Sequence, residues 1–171
     1  WWGRRYIPDI KKFIQLEDWR NAATSLVTAT RWAPDDPEVL RVAVDFATHT
    51  GSEPRTMIRF LTRLDQLGEI TVAERCTLGR MYVKLPDLKS AHEIYDAVPQ
   101  GELSKRPALE LLSAIQKAEG MQARSFLTQR QALLADPDNP EAVLQLALLD
   151  ARSGDASLSG PARERLWPIA K

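Results

Sequence analysis

Apolar positions along the chain fall at the three-to-four spacing of amphipathic helices, and the stretches that carry them are separated by short breaks bearing proline, glycine or acidic residues. The clearest stretch runs Leu78-Gly79-x-x-Tyr82 and continues through Leu88, Ala91 and Tyr95, so a small residue alternates with an aromatic one across two helix-length segments. The pattern repeats. Ile10, Val44, Gly79, Ser113 and Ala147 stand in one column with steps of 34, 35, 34 and 34 residues. Ala22, Thr56, Ala91 and Ser125 form a second column, and Leu26, Phe60, Tyr95 and Gln129 a third. Gly51, Pro86, Gly120 and Gly154, spaced 35, 34 and 34 apart, mark where each helix pair reverses direction. Columns that share one single-residue insertion define an internal repeat of about 34 residues. Small residues in the first two columns let two helix backbones approach closely, and the bulky third-column residue fills the space one turn later.

Punctuation follows the same beat. Ala-Pro-Asp-Asp-Pro-Glu around Pro34 and Asp-Pro-Asp-Asn-Pro-Glu around Pro137 lie 103 residues apart, three periods plus the insertion. In each, the first proline stops a helix, Asp36 or Asn139 caps the next, and Pro37 or Pro140 sits in its first turn, where a missing N–H costs nothing. Thr71-x-x-Glu74 is a capping box that opens the third unit. These signals predict helix pairs at residues 4–32, 37–67, 72–99 and 105–135, and a further first helix at 140–153. Residues 155–160 read as a flexible break, and 161–170 as a short closing helix that turns Leu166 and Trp167 over the apolar end of the stack. Residues 1–171 are therefore expected to form a single repeat domain, with units near 4–36, 37–70, 71–104, 105–139 and a partial one at 140–171.

Composition narrows the class. At 44% hydrophobic and 27% charged the chain is ordinary folded material. Twenty-three basic residues balance twenty-three acidic ones, so no net field draws the molecule onto nucleic acid or anionic lipid. The single cysteine, Cys76, excludes an internal disulfide and a thiolate-based zinc cluster. No apolar run within these residues is long enough to span a bilayer. Trp1-Trp2-Gly3-Arg4-Arg5-Tyr6, with Lys11 and Lys12 close behind, admits two readings. One is the interfacial edge of a membrane anchor upstream of Trp1; the other is a first helix whose tryptophans pack on their neighbour. Cellular location stays open between them.

On the residues quoted above, the chain resembles the tetratricopeptide repeat family. The likeness is carried by Leu78, Gly79, Tyr82, Ala91 and Tyr95 in the third unit and by the helix ends at Ala29 with Pro34 and Ala132 with Pro137, and it covers nearly the whole chain. The second unit departs with Thr56 and Arg63 where the family prefers alanine, the fourth with Ser113 and Gln129 where it prefers glycine and an aromatic. Asp150 stands where an aromatic is usual. The resemblance implies an all-α fold, a right-handed α-α superhelix of about four full helix pairs plus a partial fifth. Its first helices would line a concave groove and its second helices an outer wall. Carried over residue by residue, it places Arg41, Asp45, His49, Arg80, Lys84, Glu110, Lys117, Gln145 and Arg152 on the groove. Arg80 and Lys84, one turn apart, would favour an acidic or carboxylate-ended peptide through charge-assisted hydrogen bonds. The family's clamp for an acidic chaperone tail needs asparagines in the groove, whereas Asn21 and Asn139 fall in a second helix and a turn. An RNA-reading pentatricopeptide array is not expected either, since net basic charge and a consistent Asn/Ser/Asp column are both missing.

Catalytic chemistry has little to stand on. His49 and His92 lie 43 residues apart on a first and a second helix, and Cys76 sits among apolar neighbours. Asp136-Pro137-Asp138-Asn139-Pro140-Glu141 puts proline where a calcium loop needs a ligand and lacks its glycine. No phosphate loop, nucleophile elbow or metalloprotease helix occurs. No catalytic, metal or cofactor residues are expected, and the chain is not expected to be an enzyme. Arg55, Arg59 and Arg63 form a basic stripe on the second unit's outer helix, read either as contacts for a partner's carboxylates or acidic lipid, or as arginines paired with acids such as Asp65 and Glu69. Two functions compete: a scaffold that lays a partner's peptide or helix in its groove, and a membrane-tethered structural module that oligomerises through its end helices.

Overall fold

The computed structural model describes residues 2–153 and 155–166, with the backbone alone for Ala156 and residues 163–166. Trp1, Gly154 and Trp167, which the sequence singles out, lie outside the described residues. Ten α-helices follow one another, with no strand among the described residues. They are α1 (Ile7–Gln15), α2 (Trp19–Trp32), α3 (Pro37–His49), α4 (Pro54–Gln66) and α5 (Val72–Lys84), then α6 (Leu88–Asp96), α7 (Arg106–Ala118), α8 (Gln122–Leu134), α9 (Pro140–Ala151) and α10 (Ala156–Leu166). A 3-10 turn, Gly3–Tyr6, precedes α1. The chain forms two compact units, Trp1–Ile94 and Tyr95–Lys171, and α6 carries it from one to the other.

Local chemistry explains where the helices start. Asp36 accepts from the N–H groups of Glu38 and Val39 at 3.0 and 3.4 Å, and Asn139 accepts from Glu141 and Ala142 at the same two distances. At α5, Thr71 and Glu74 complete the reciprocal capping box. The turns inside the pairs are equally uniform. Glu17, Gly51 and Gly120 take positive φ, at 54°, 63° and 81°, and Pro86 stands at the same place in the third pair. In each case the next N–H closes back onto the preceding helix: Asp18 to the Phe13 carbonyl, Ser52 to Ala47, Asp87 to Tyr82 and Met121 to Gln116, all between 2.8 and 3.0 Å. This is the Schellman closure, whose left-handed residue glycine fills without a Cβ penalty.

The cores follow. In the first unit Ile7, Ile10 and Ile14 of α1 pack with Ala22, Leu26 and Ala29 of α2 and with Val39, Val42 and Ala43 of α3. Leu40, Leu61, Leu64 and Leu78 tie α3, α4 and α5 together. In the second unit Leu111, Ile115, Ala132 and Ala142 are fully enclosed.

Two readings of the sequence need correction. In α4 the buried residues are Met57, Leu61 and Leu64, whereas Thr56 and Phe60 are half-buried and Arg63 points outward. The reason is one extra residue: two residues, Ser52 and Glu53, separate Gly51 from α4, against a single one at Asp18, Asp87 and Met121. The insertion therefore lies in the α3–α4 turn and moves every α4 core position one place on, so Leu64, not Arg63, occupies the alanine position. Residues 155–160 are not a break. Asp155 accepts from the N–H and hydroxyl of Ser157 at 2.8 and 2.7 Å, which starts α10 at Ala156 and lets it run through Pro161 and pack on α9. The fifth unit thus supplies both of its helices.

Candidate functional site

The first helices of the Trp1–Ile94 unit share one face. Arg41 and Asp45, on α3, border a cleft toward α1 and a second toward α5. Toward α5 the cleft holds about 680 Å³, with Val44, Ala47, Met57 and Met81 as its apolar floor and Arg41, Asp45, Arg80 and Lys84 around it. Toward α1 a further hollow of about 580 Å³ brings Lys11 and Trp19 up to Asp45 and His49. His49 stacks on the Trp19 ring at 6.4 Å between centroids, and its Nδ1 lies 3.3 Å from the Asp45 carboxylate.

Electrostatics fixes part of this face. Arg41 donates to the Glu74 carboxylate at 2.9 Å and to the Glu69 carbonyl at 2.5 Å, so its guanidinium bridges α3 to the start of α5. Burial pushes the Glu74 carboxyl up, but hydrogen bonds from the Thr71 N–H, the Thr71 hydroxyl and Arg41 outweigh that and hold it below its ordinary value. Arg80 donates to the Thr77 hydroxyl at 3.0 Å, and the exposed Lys84 follows one turn later. An array of donors over an apolar floor suits a peptide with a carboxylate and an apolar neighbour. Among the described residues, no three His, Cys, Asp or Glu side chains gather as a metal site.

Of the five groove residues expected in the first unit, Arg41, Asp45, Arg80 and Lys84 line the α3–α5 cleft, and His49 lines the separate hollow toward α1. The other four belong to the Tyr95–Lys171 unit. There Glu110 accepts from Arg106 at 2.7 Å, Gln145 donates to Glu141 at 2.9 Å, and Lys117 and Arg152 lie exposed at the ends of α7 and α9. Lys117 and Gln145 each stand one place off the repeat columns. The columns run His49, Lys84, Ala118, Arg152 and Arg41, Cys76, Glu110, Leu144. The sequence reading missed Lys11, which precedes Asp45 by one 34-residue period, and missed Leu144 and Leu148, exposed at 37% and 39%. Following the Asp45 column outward would have found Lys11 and Leu148, and following the Arg41 column would have found Leu144.

No family model matches the chain, and no curated protein does. Among solved structures the chain is similar to MamA, residue 41 to its end, from Desulfovibrio magneticus RS-1. The TM-score is 0.64 at 15% identity, with 98% of this chain and 94% of that one covered. At that identity the likeness establishes the fold. The chain is an all-α array of successive helix pairs of the tetratricopeptide-like solenoid class.

Proposed function

We propose that the chain is a non-catalytic scaffold that holds a peptide or helix of a protein partner along the first-helix face of its Trp1–Ile94 unit. The observation that carries this reading is the cleft between α3 and α5, where an apolar floor lies beneath Arg41, Arg80 and Lys84. Arg80 and Lys84 supply charge-assisted donors to a carboxylate, and Met57 and Met81 offer an adaptable surface to an apolar side chain. The test is selection from a random-peptide display library. Acidic or carboxylate-ended peptides should be enriched, and Arg80→Ala with Lys84→Ala should weaken their binding at least about tenfold, with circular dichroism confirming the fold. Binding of the selected peptides to that variant as tightly as to the parent would remove the groove from the account.

The second reading, a structural module that makes its contacts through its ends, is favoured by a separate observation. Trp2 and Trp32 are 68% and 65% exposed and flank the point where Gly3 packs on Ala33. Sedimentation equilibrium of the parent and of Trp32→Ser separates the two. A dimer that dissociates on Trp32→Ser supports the end-contact reading, and a monomer in both supports the groove.

A further inference from the structure

A different cleft, of about 690 Å³, runs along α4 on the second-helix side of the Trp1–Ile94 unit. Its floor is apolar: Leu40 is 3% exposed, and Ile58, Phe60 and Tyr82 are half-buried around it. Its rim carries the basic stripe. Arg63 is committed, donating to the Asp35 carboxylate at 2.6 Å and to the Gln66 amide oxygen at 3.0 Å. Asp65, the acid expected to neutralise the stripe, instead accepts from Arg75 at 2.8 Å. Arg55 and Arg59 have no carboxylate within ion-pair distance among the described residues, and Arg59 lies over the Phe60 ring at 5.0 Å. Two cations one turn apart, left uncompensated above an apolar recess, repel each other until an anion reaches them.

We propose that this cleft docks an acidic segment of a protein partner, with carboxylates paired to Arg55 and Arg59 and an apolar side chain set down on Ile58 and Tyr82. Charge complementarity selects the acid, and the recess selects the side chain. The volume falls within the range of about 300–1,000 Å³ that clefts use to enclose a ligand group. Relief also decides between protein and membrane. A surface that inserts into lipid projects apolar side chains past its cations. Here the apolar residues lie below exposed arginines, so a partner must reach in.

The proposal stands apart from the first-helix face, and one library separates them. Among peptides selected on the whole chain, one class should carry at least two acids flanking an aliphatic or aromatic residue. That class should lose at least about tenfold in affinity on Arg55→Glu with Arg59→Glu, and keep it on Arg80→Ala with Lys84→Ala. Thr62→Trp, which fills the cleft without altering its charge, should abolish the same binding, with circular dichroism confirming the fold. The proposal is overturned if no acidic class is enriched, if that class binds the Arg55/Arg59 variant as well as the parent, or if those arginines instead mediate sedimentation with phosphatidylserine vesicles.

Discussion

Where α7 and α8 come closest, Ser113 donates to the Ser125 carbonyl at 3.0 Å, Ser125 donates to the Ser113 carbonyl at 2.9 Å, and the two hydroxyls lie 3.1 Å apart. Both are buried, so each supplies the small size the contact requires and satisfies its own hydroxyl there. Ser113 read as a departure from glycine because its partner is invisible in a single column. Ser113→Ala and Ser125→Ala should each cost about 1 kcal/mol, and the double variant less than their sum, since each single variant already loses the shared hydroxyl–hydroxyl contact. Urea unfolding of the four proteins checks this, and a double variant that costs the full sum would deny the coupling. Asp150 has the same explanation. It is 5% exposed and accepts from Arg130 at 3.0 Å, so an acid stands where an aromatic is usual because a cation on α8 meets it. Glu17 makes the opposite case: an exposed, non-glycine residue holds φ at 54° in the position glycine fills at Gly51 and Gly120. Left-handed backbone costs such a residue about 1 kcal/mol or more, so Glu17→Gly should raise the unfolding midpoint, and a fall would mean the glutamate side chain contributes more than its backbone loses.

At the scale of the element, helix starts were legible and the register of α4 was not. Asp36, Thr71 and Asn139 announce themselves because a cap is a local event, settled by a side chain and the backbone two or three residues on. Core register depends on what a helix meets across the pair, and one additional residue in the α3–α4 turn shifts it without leaving a composition signal. The capping box at α5 carries a test of its own. Glu74 is held below the ordinary carboxylate range in the folded chain, so its contribution is full above that range and disappears as pH falls through the folded value. Glu74→Gln should therefore destabilise by about 1–2 kcal/mol near neutral pH, and the difference from the parent should shrink steadily below about pH 4. Denaturant midpoints measured at both pH values decide it, and a difference that does not change with pH would detach Glu74 from the Arg41 and Thr71 contacts. Ala91, fully enclosed on α6, gives a packing test for the same scale. Ala91→Leu should cost about 1–3 kcal/mol by overfilling the contact, and an unchanged melting temperature would place the helix pair's seam elsewhere.

At the scale of the whole molecule, periodicity made the fold readable, because each helix pair solves the same packing problem and repeats the solution within a residue. The candidate face was readable only in part. Arg41, Asp45, His49, Arg80 and Lys84 follow from the columns, whereas in the fifth unit the columns of Arg41 and Asp45 carry the exposed Leu144 and Leu148, which were not among the expected residues. Charge accounting over the molecule leads to a last expectation. The formal net charge is zero, and Arg4, Arg41, Arg63, Arg75, Arg106 and Arg130 are each held by a carboxylate. Nucleic acid is held mainly by releasing counterions from several phosphates at once, which requires a run of uncommitted cations. Lys84, Lys117 and Arg152 lie exposed at the ends of three different helices, and Arg55 and Arg59 provide two charges on the α4 cleft, enough for a pair of carboxylates and too few to follow a phosphate backbone. A single-stranded RNA of about 30 nucleotides should therefore show no mobility shift with about 10 µM protein at roughly 0.15 M salt, where phosphate-driven non-specific binding would already appear. A shift that fades with added salt and disappears in Arg55→Glu with Arg59→Glu would instead make α4 a phosphate-binding edge, and would displace the acidic segment assigned to it.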